Sequence, residues 1–191
     1  PYAASKASSD HIFRSLHRTY GFPVTISNCS NNYGPYQFPE KLIPHMIINI
    51  IKGSNLPIYG DGSQIRDWLH VDDHNEGIIN IIENGKVGET YNIGGSNEVK
   101  NIDLVKLICQ IVDELSLKKD AASLIEYVDD RPGHDKRYAI DSSKMHSHFG
   151  WQPEVEFQKG LSDTIKWYFK NANWWEEILK SKFVMERQGS I

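Results

Sequence analysis

Tyr2 and Lys6 stand four residues apart in the run Tyr2-Ala3-Ala4-Ser5-Lys6. On a helix, residues at that spacing share a face, so the lysine ammonium can lie beside the phenol. A free phenol ionises near pH ~10, and a cation within about 4–6 Å favours the ionised form. Such a pair can abstract a proton at neutral pH. Surface helices also carry Tyr and Lys at this spacing, so the pair alone decides nothing. Residue 1 is Pro rather than Met, and a catalytic helix at the first residues leads us to expect a further N-terminal segment before it.

Four other segments have the residue types for ligand chemistry, each with a plainer alternative. In Asn28-Cys29-Ser30-Asn31-Asn32-Tyr33-Gly34-Pro35-Tyr36, adjacent amides offer donors and acceptors to a carboxamide or a sugar hydroxyl. An Asx-turn closing on its own backbone would use the same residues. Phe38-Pro39-Glu40-Lys41-Leu42-Ile43-Pro44 enters a helix, where free N–H groups and Lys41 can receive a phosphate; an ordinary helix start with an early proline is the alternative. Pro57 to Trp68 joins Tyr59, which can flank a base, to Arg66, which can hold a phosphate with two hydrogen bonds. The alternative there is a hairpin with Arg66 paired to Asp67 or Asp61, a solvated contact of little weight. Asp130-Arg131-Pro132-Gly133-His134-Asp135-Lys136-Arg137-Tyr138 is the most charged loop. Its turn chemistry and clustered donors suit a diphosphate, although Asp129, Asp130 and Asp135 also allow a charge-balanced, solvated connection. The eight histidines show no metal-ligand spacing, so no metal site is expected. There is no Gly-x-Ser-x-Gly elbow, and Cys29 lacks the surroundings of a nucleophile.

Elements that alternate along the chain must position these residues. Tyr2 to Tyr20 reads as a helix with Ile12, Phe13, Leu16 and Tyr20 as its apolar stripe and Gly21 as its stop. Pro23 to Asn28 reads as a strand and Cys29 to Pro35 as a loop. Lys41 to Lys52 is helical. Leu56 to Tyr59 and Ile65 to Val71 are strands around a Gly60-Asp61-Gly62 turn. Asp72 is expected to cap a helix to Glu83, and Asn101 one over Ile102 to Leu115. Thr90 to Ile93 and Leu124 to Val128 are strands, with loops at 116–123 and 129–138. Asp141 should cap a short helix ending at Gly150, and Phe157 to Asn171 forms an amphipathic helix. Trp174 and Trp175 fall in a C-terminal tail. Strands alternating with helices imply an α/β protein with layered sheets and helices. Neither a repeat nor a sharp domain boundary is visible.

Composition narrows the function classes. The chain has 191 residues, a net charge of −4, 39% hydrophobic and 24% charged residues. Those are globular values, and the net charge argues against bulk nucleic-acid binding. No apolar run reaches the length of a membrane span. Two cysteines, Cys29 and Cys109, fit a reducing cytosol better than a disulfide framework. No Gly-x-Gly-x-x-Gly or Gly-x-x-Gly-x-x-Gly loop occurs.

Taken in order from Tyr2 to about Tyr168, several motifs together resemble the nucleotide-sugar 4,6-dehydratases of the extended short-chain dehydrogenase/reductase family. They are Tyr-x-x-x-Lys, Asn-Cys-Ser-Asn-Asn-Tyr-Gly-Pro-Tyr, Pro-Glu-Lys-Leu-Ile-Pro, Gln-Ile-Arg-Asp-Trp, Tyr-Asn-Ile-Gly-Gly and Asp-Arg-Pro-Gly-His-Asp. The Gln-Ile-Arg-Asp-Trp and Arg-Pro-Gly-His-Asp segments are the specific ones. The resemblance implies the C-terminal part of an extended Rossmann-like fold plus a smaller α/β substrate-binding domain. Residues 1–35 would belong to the NAD-binding side, 36–170 mainly to the substrate side with some segments returning to the Rossmann sheet, and 171–191 to a tail. The implied reaction is NAD-dependent dehydration of dTDP-glucose to dTDP-4-dehydro-6-deoxy-glucose.

By the same resemblance Tyr2 and Lys6 are catalytic and, with Cys29 and Asn32, lie against NAD. Asn31, Glu40, Lys41, Leu42, Pro57, Tyr59, Arg66, Asn101, Arg131 and His134 match substrate positions, with Tyr59 by the thymine and Arg66, Arg131 and His134 at the diphosphate and its sugars. The resemblance also implies a cytoplasmic enzyme that forms homodimers through a helical bundle including residues 2–20, with no nucleic-acid or membrane partner. The glycine loop and the Thr-Asp-Glu segment that serves the elimination are absent from the chain, so it is expected to be inactive by itself. Another NAD-dependent nucleotide-sugar epimerase or decarboxylase, or a non-catalytic nucleotide-sugar binding fragment, would share many of these residues.

Overall fold

The computed structural model describes residues 1–181. Seven α-helices, a 3-10 helix (Ala121–Leu124) and eight strands follow one another within them: α1 (Tyr2–Tyr20), β1 (Ile26–Cys29), β2 (Asn31–Tyr33), α2 (Leu42–Lys52), β3 (Leu56–Tyr59), β4 (Ile65–His70), α3 (Val71–Asn84), β5 (Thr90–Ile93), β6 (Glu98–Lys100), α4 (Asn101–Glu114), β7 (Ile125–Val128), β8 (Arg137–Tyr138), α5 (Ser143–Phe149), α6 (Phe157–Lys170) and α7 (Ala172–Lys180). The pattern is α/β, as the alternation implies.

Three small sheets organise the chain. β1 pairs in parallel with β5, and β3 with β7. β4 is the hub of the third, flanked by parallel β2 and β8 and antiparallel β6. The segment expected as a loop from Cys29 to Pro35 instead changes sheets. Ser30 donates its N–H to Ile93 O at 3.0 Å, and Asn31 to Tyr33 then join β4. Only a long-range partner makes this short polar run extended, and period-2 patterning cannot register it. The same reason hides β6 and β8. β3 and β4 are not a hairpin, because each pairs in a different sheet.

Two apolar cores result. The larger joins α2, α4, α6 and α7 to β2, β3 and β4 through residues such as Ile47, Ile108, Leu161 and Trp175. The smaller holds Leu69, Ile81, Tyr91, Ile93, Met145 and Trp151, with Cys29 packed against it. β4 contributes to both, since Trp68 and Leu69 are consecutive and point to opposite faces.

Caps depart from the sequence reading in detail. α3 starts at Val71, and the His70 ring rather than Asp72 accepts the first free N–H, from Asp72 itself. Asn101 lies inside α4, behind an uncapped Lys100. Asp141 accepts from Ser143 N at 2.8 Å. The expected tail is in fact helical over Ala172–Lys180; Trp175 is 1% exposed and its indole donates to Tyr168 O at 3.1 Å. Residues 182–191 of that tail lie outside the described residues.

α1 is the helix expected, closed by Gly21 in the left-handed region at φ 66°. No residue of it is buried. Ile12, Phe13 and Tyr20 are exposed and Leu16 is half-buried, so its apolar stripe does not enter either core. Arg14 reaches the Thr90 hydroxyl at 2.7 Å, and His17 the carbonyl of Phe22 at 3.0 Å.

Candidate substrate cleft

β2 separates its side chains by the pleat. Asn31 faces a cleft of about 270 Å³ between α2, β3, β4 and the 129–136 loop, while Asn32 points to the other side of the sheet. The cleft's floor comes from β4, where Arg66 and Trp68 share a face. Asp67, on the reverse face, is buried and accepts from Gly95 N at 3.0 Å and Asn97 N at 2.7 Å. That anchor fixes which way β4 presents Arg66, and it replaces the surface Arg66–Asp67 pair considered above.

Arg66 is only 8% exposed. Its guanidinium donates to Ile65 O at 2.7 Å and to Asp135 O at 2.9 Å. Two of its five N–H donors are thus spent on backbone, and three remain. Burial pushes this group down from its ordinary value; Asp135 opposes the shift and the charge of Arg131 adds to it.

The 129–136 loop is tied to the β3–β4 turn at several points. Asp130 accepts from Gln64 Nε2 at 2.9 Å and from Arg131 N at 2.8 Å, and meets His134 Nδ1 at 2.7 Å. The hydrogen bond to His134 is the main reason the Asp130 carboxyl sits below its ordinary value. Lys136 reaches Ser63 Oγ at 2.9 Å. The turn itself needs Gly62: its φ is +71°, and a Cβ there would lie 2.7 Å from both Ile102 Cβ and Ile58 Cγ2. Anchored this way, the loop holds His134 with its side chain 5% exposed and brings Arg131 to the cleft edge.

On the opposite wall, Lys41 precedes α2 in extended conformation, and no side chain caps that helix start. Lys41 pairs with Glu40 at 2.6 Å. Leu42, His45 and Met46 follow on the helix face that lines the cleft. Tyr59 enters from β3, its ring 6.3 Å edge-on from His134. Asn101 comes from the start of α4, with its Oδ1 buried and unpartnered.

Of the substrate positions implied by the resemblance, the cleft thus gathers Asn31, Glu40, Lys41, Leu42, Tyr59, Arg66, Asn101, Arg131 and His134. Pro57 shares Tyr59's face of β3 but sits opposite Glu126, outside the lining. Three lining residues escaped the sequence reading: His45, Met46 and Trp68. His45 was within reach of it, since i+4 from Lys41 on a helix is the same face. Trp68 was within reach too, since i+2 from Arg66 on a strand is the same face.

Tyr2, Lys6, Cys29 and Asn32 lie outside this cleft. Tyr2 is 78% exposed, and among the described residues its phenol and the Lys6 ammonium form no hydrogen bond. Burial pushes the Cys29 thiol up, against smaller downward pulls from Asn32, its own backbone and, least, Lys6. Asn32 donates to Ser30 O at 3.1 Å and leaves its Oδ1 buried without a partner. Both cysteines are free thiols. No helix of the described residues is long and apolar enough to cross a membrane.

A cationic cleft where the carboxyl end of β3 meets the first half of β4, with a separate parallel β1–β5 sheet, defines the class. This is the C-terminal part of an extended short-chain dehydrogenase/reductase fold. A family model described as GDP-mannose 4,6 dehydratase matches residues 1–164, and the chain belongs to that family. A dTDP-glucose 4,6-dehydratase of Escherichia coli is 54% identical over 196 residues, covering 100% of this chain and 54% of that protein. The crystal structure of dTDP-glucose 4,6-dehydratase from Bacillus anthracis in complex with NAD superposes with a TM-score of 0.85 at 49% identity, over 93% of this chain and 55% of that one. DesIV from Streptomyces venezuelae, a dTDP-glucose 4,6-dehydratase with NAD and TYD bound, gives 0.86 at 47%, over 93% and 53%. The chain therefore spans about half the length of these relatives.

Proposed function

We propose that this chain carries the nucleotide-sugar site of an NAD-dependent dTDP-glucose 4,6-dehydratase. The observation that supports this reading best is the convergence of Lys41, Arg66 and Arg131 on one cleft with Asn31, Asn101 and His134. Three cations suit a diphosphate, which accepts charge-assisted hydrogen bonds from each. The amides and imidazole suit sugar hydroxyls. Tyr59 stacks or edges against a base.

The residues beside the β1–β5 layer fit the nicotinamide end of a dinucleotide. Asn32 Oδ1 is a buried acceptor without a partner, matched to a carboxamide N–H. When bound, NAD would supply hydride acceptance at sugar C4 and hydride return at C6. Tyr2 would take the proton of the 4-hydroxyl, with Lys6 holding the ribose and favouring negative charge on the phenol. The 4-keto group then acidifies C5, and water leaves across C5 and C6. We assign residues 1–35 to the cofactor side and 36–170 mainly to the substrate side. We further propose a cytoplasmic homodimer for the whole protein.

The chain has no Thr-Asp-Glu acid–base segment, so binding and turnover should separate. Calorimetry is expected to detect dTDP-glucose binding to the chain, with UDP-glucose weaker. NMR of dTDP-glucose with NAD is expected to show no 4-keto-6-deoxy product from the chain alone. Absence of dTDP-glucose binding would overturn the proposal, and a preference for UDP-glucose would favour an epimerase instead.

A further inference from the structure

The cleft joins cations to less polar groups. Lys41 and Leu42 sit at the uncapped start of α2 and line it together with Arg66 and Arg131. One turn further along the same helix face, His45 and Met46 line the cleft, and α2 packs on β3, which brings in Tyr59. A nucleotide whose diphosphate rests on Lys41, Arg66 and Arg131 has that second turn within reach of its nucleoside.

His45 is the polar group waiting there. Its ring is only partly buried, and among the described residues it makes no hydrogen bond or ion pair. Around the cleft, the other charged or titratable side chains are Glu40, Lys41, Tyr59, Arg66, Arg131 and His134. Lys41 is engaged by Glu40, and His134 by Asp130. His45 thus has no internal partner to explain its place. Burial, with a smaller contribution from Lys52 on its own helix, lowers its proton affinity, so the ring is neutral at pH ~7. A neutral imidazole offers one donor and one acceptor.

We propose that His45 reads the base of the bound nucleotide, as a further specificity-determining residue of the cleft. This rests on the nucleotide-sugar reading given above. The base is of the pyrimidine imide class, whose edge presents an N–H between two carbonyl oxygens. His45 hydrogen-bonds that edge, and Met46 supplies the apolar contact beneath the ring.

The test is calorimetry on the chain at pH 7.5 with two probes, dTDP and inorganic pyrophosphate, using wild type, His45→Leu and His45→Gln. Thermal melts confirm that each variant folds. The Leu variant is expected to bind dTDP about two- to tenfold more weakly, the worth of one net hydrogen bond, with pyrophosphate affinity unchanged. The Gln variant, which keeps a donor and an acceptor, is expected to recover most of the loss. Unchanged dTDP affinity in the Leu variant overturns the proposal. So does a parallel loss for pyrophosphate, which would place His45 on the phosphates. If wild type binds neither probe, the nucleotide reading itself fails; if it binds both equally, that reading survives and the base contact does not.

Discussion

Replacing Arg66 by Met isolates the cleft's central cation. Met keeps an unbranched apolar stem against β4, so the change removes the guanidinium and little else. In the structure that group spends two donors on Ile65 O and Asp135 O and keeps three for a ligand. A hydrogen bond to a charged partner contributes roughly 1.5–3 kcal/mol net, so dTDP affinity should fall about 10- to 150-fold. The Asp135 carbonyl also loses its donor, and stability should fall by about 1 kcal/mol. Arg137→Met is the control. It removes an exposed two-point pair with Glu98, each bond 2.6 Å long, on a residue outside the cleft. Exposed pairs contribute about 0–1 kcal/mol, and affinity should not change. Calorimetry at fixed pH and salt measures both variants. If Arg66→Met binds dTDP within twofold of wild type while remaining folded, the assignment of the diphosphate to Arg66 is wrong.

Two further outcomes concern stability. Trp175→Ala should cost about 3–5 kcal/mol by opening the larger core beneath α6 and stranding the Tyr168 carbonyl; a chemical melt reads it, and a loss under 1 kcal/mol would mean that α7 does not seal that core. Acidification should also destabilise the fold. His45 and His74 are both held below the ordinary imidazole value, His45 by burial and Lys52, His74 by burial. The unfolded chain therefore takes up their protons first. The loss is absent well above pH ~6.5 and grows as pH falls from there through the lower folded values. Thermal melts between pH 8 and 5 check this, and doubly substituted His45→Gln, His74→Gln protein should show a shallower decline.

Much of the site was legible because its residues announce local chemistry. Arg131-Pro132-Gly133-His134 and Tyr59-Gly60-Asp61-Gly62 combine turn formers with cations and aromatics, and turns are set by the few residues within them. Helices such as α2 and α4 were legible for the same reason, since their apolar period is local. Asn31-Asn32-Tyr33 was not. Its strand exists because β4 lies alongside, and its pleat is what sends one asparagine to the cleft and the next to the opposite side.

The sequence by itself determined the alternation of elements, the two turn-bearing loops and the cationic inventory of the cleft, because each depends on neighbours along the chain. Tertiary structure decided the rest. It set Asp67 as the buried anchor that turns Arg66 inward, gave α7 a core to close, and made a strand of Asn31 to Tyr33 by laying β4 beside it. Those outcomes depend on partners many residues away, and no local period encodes them.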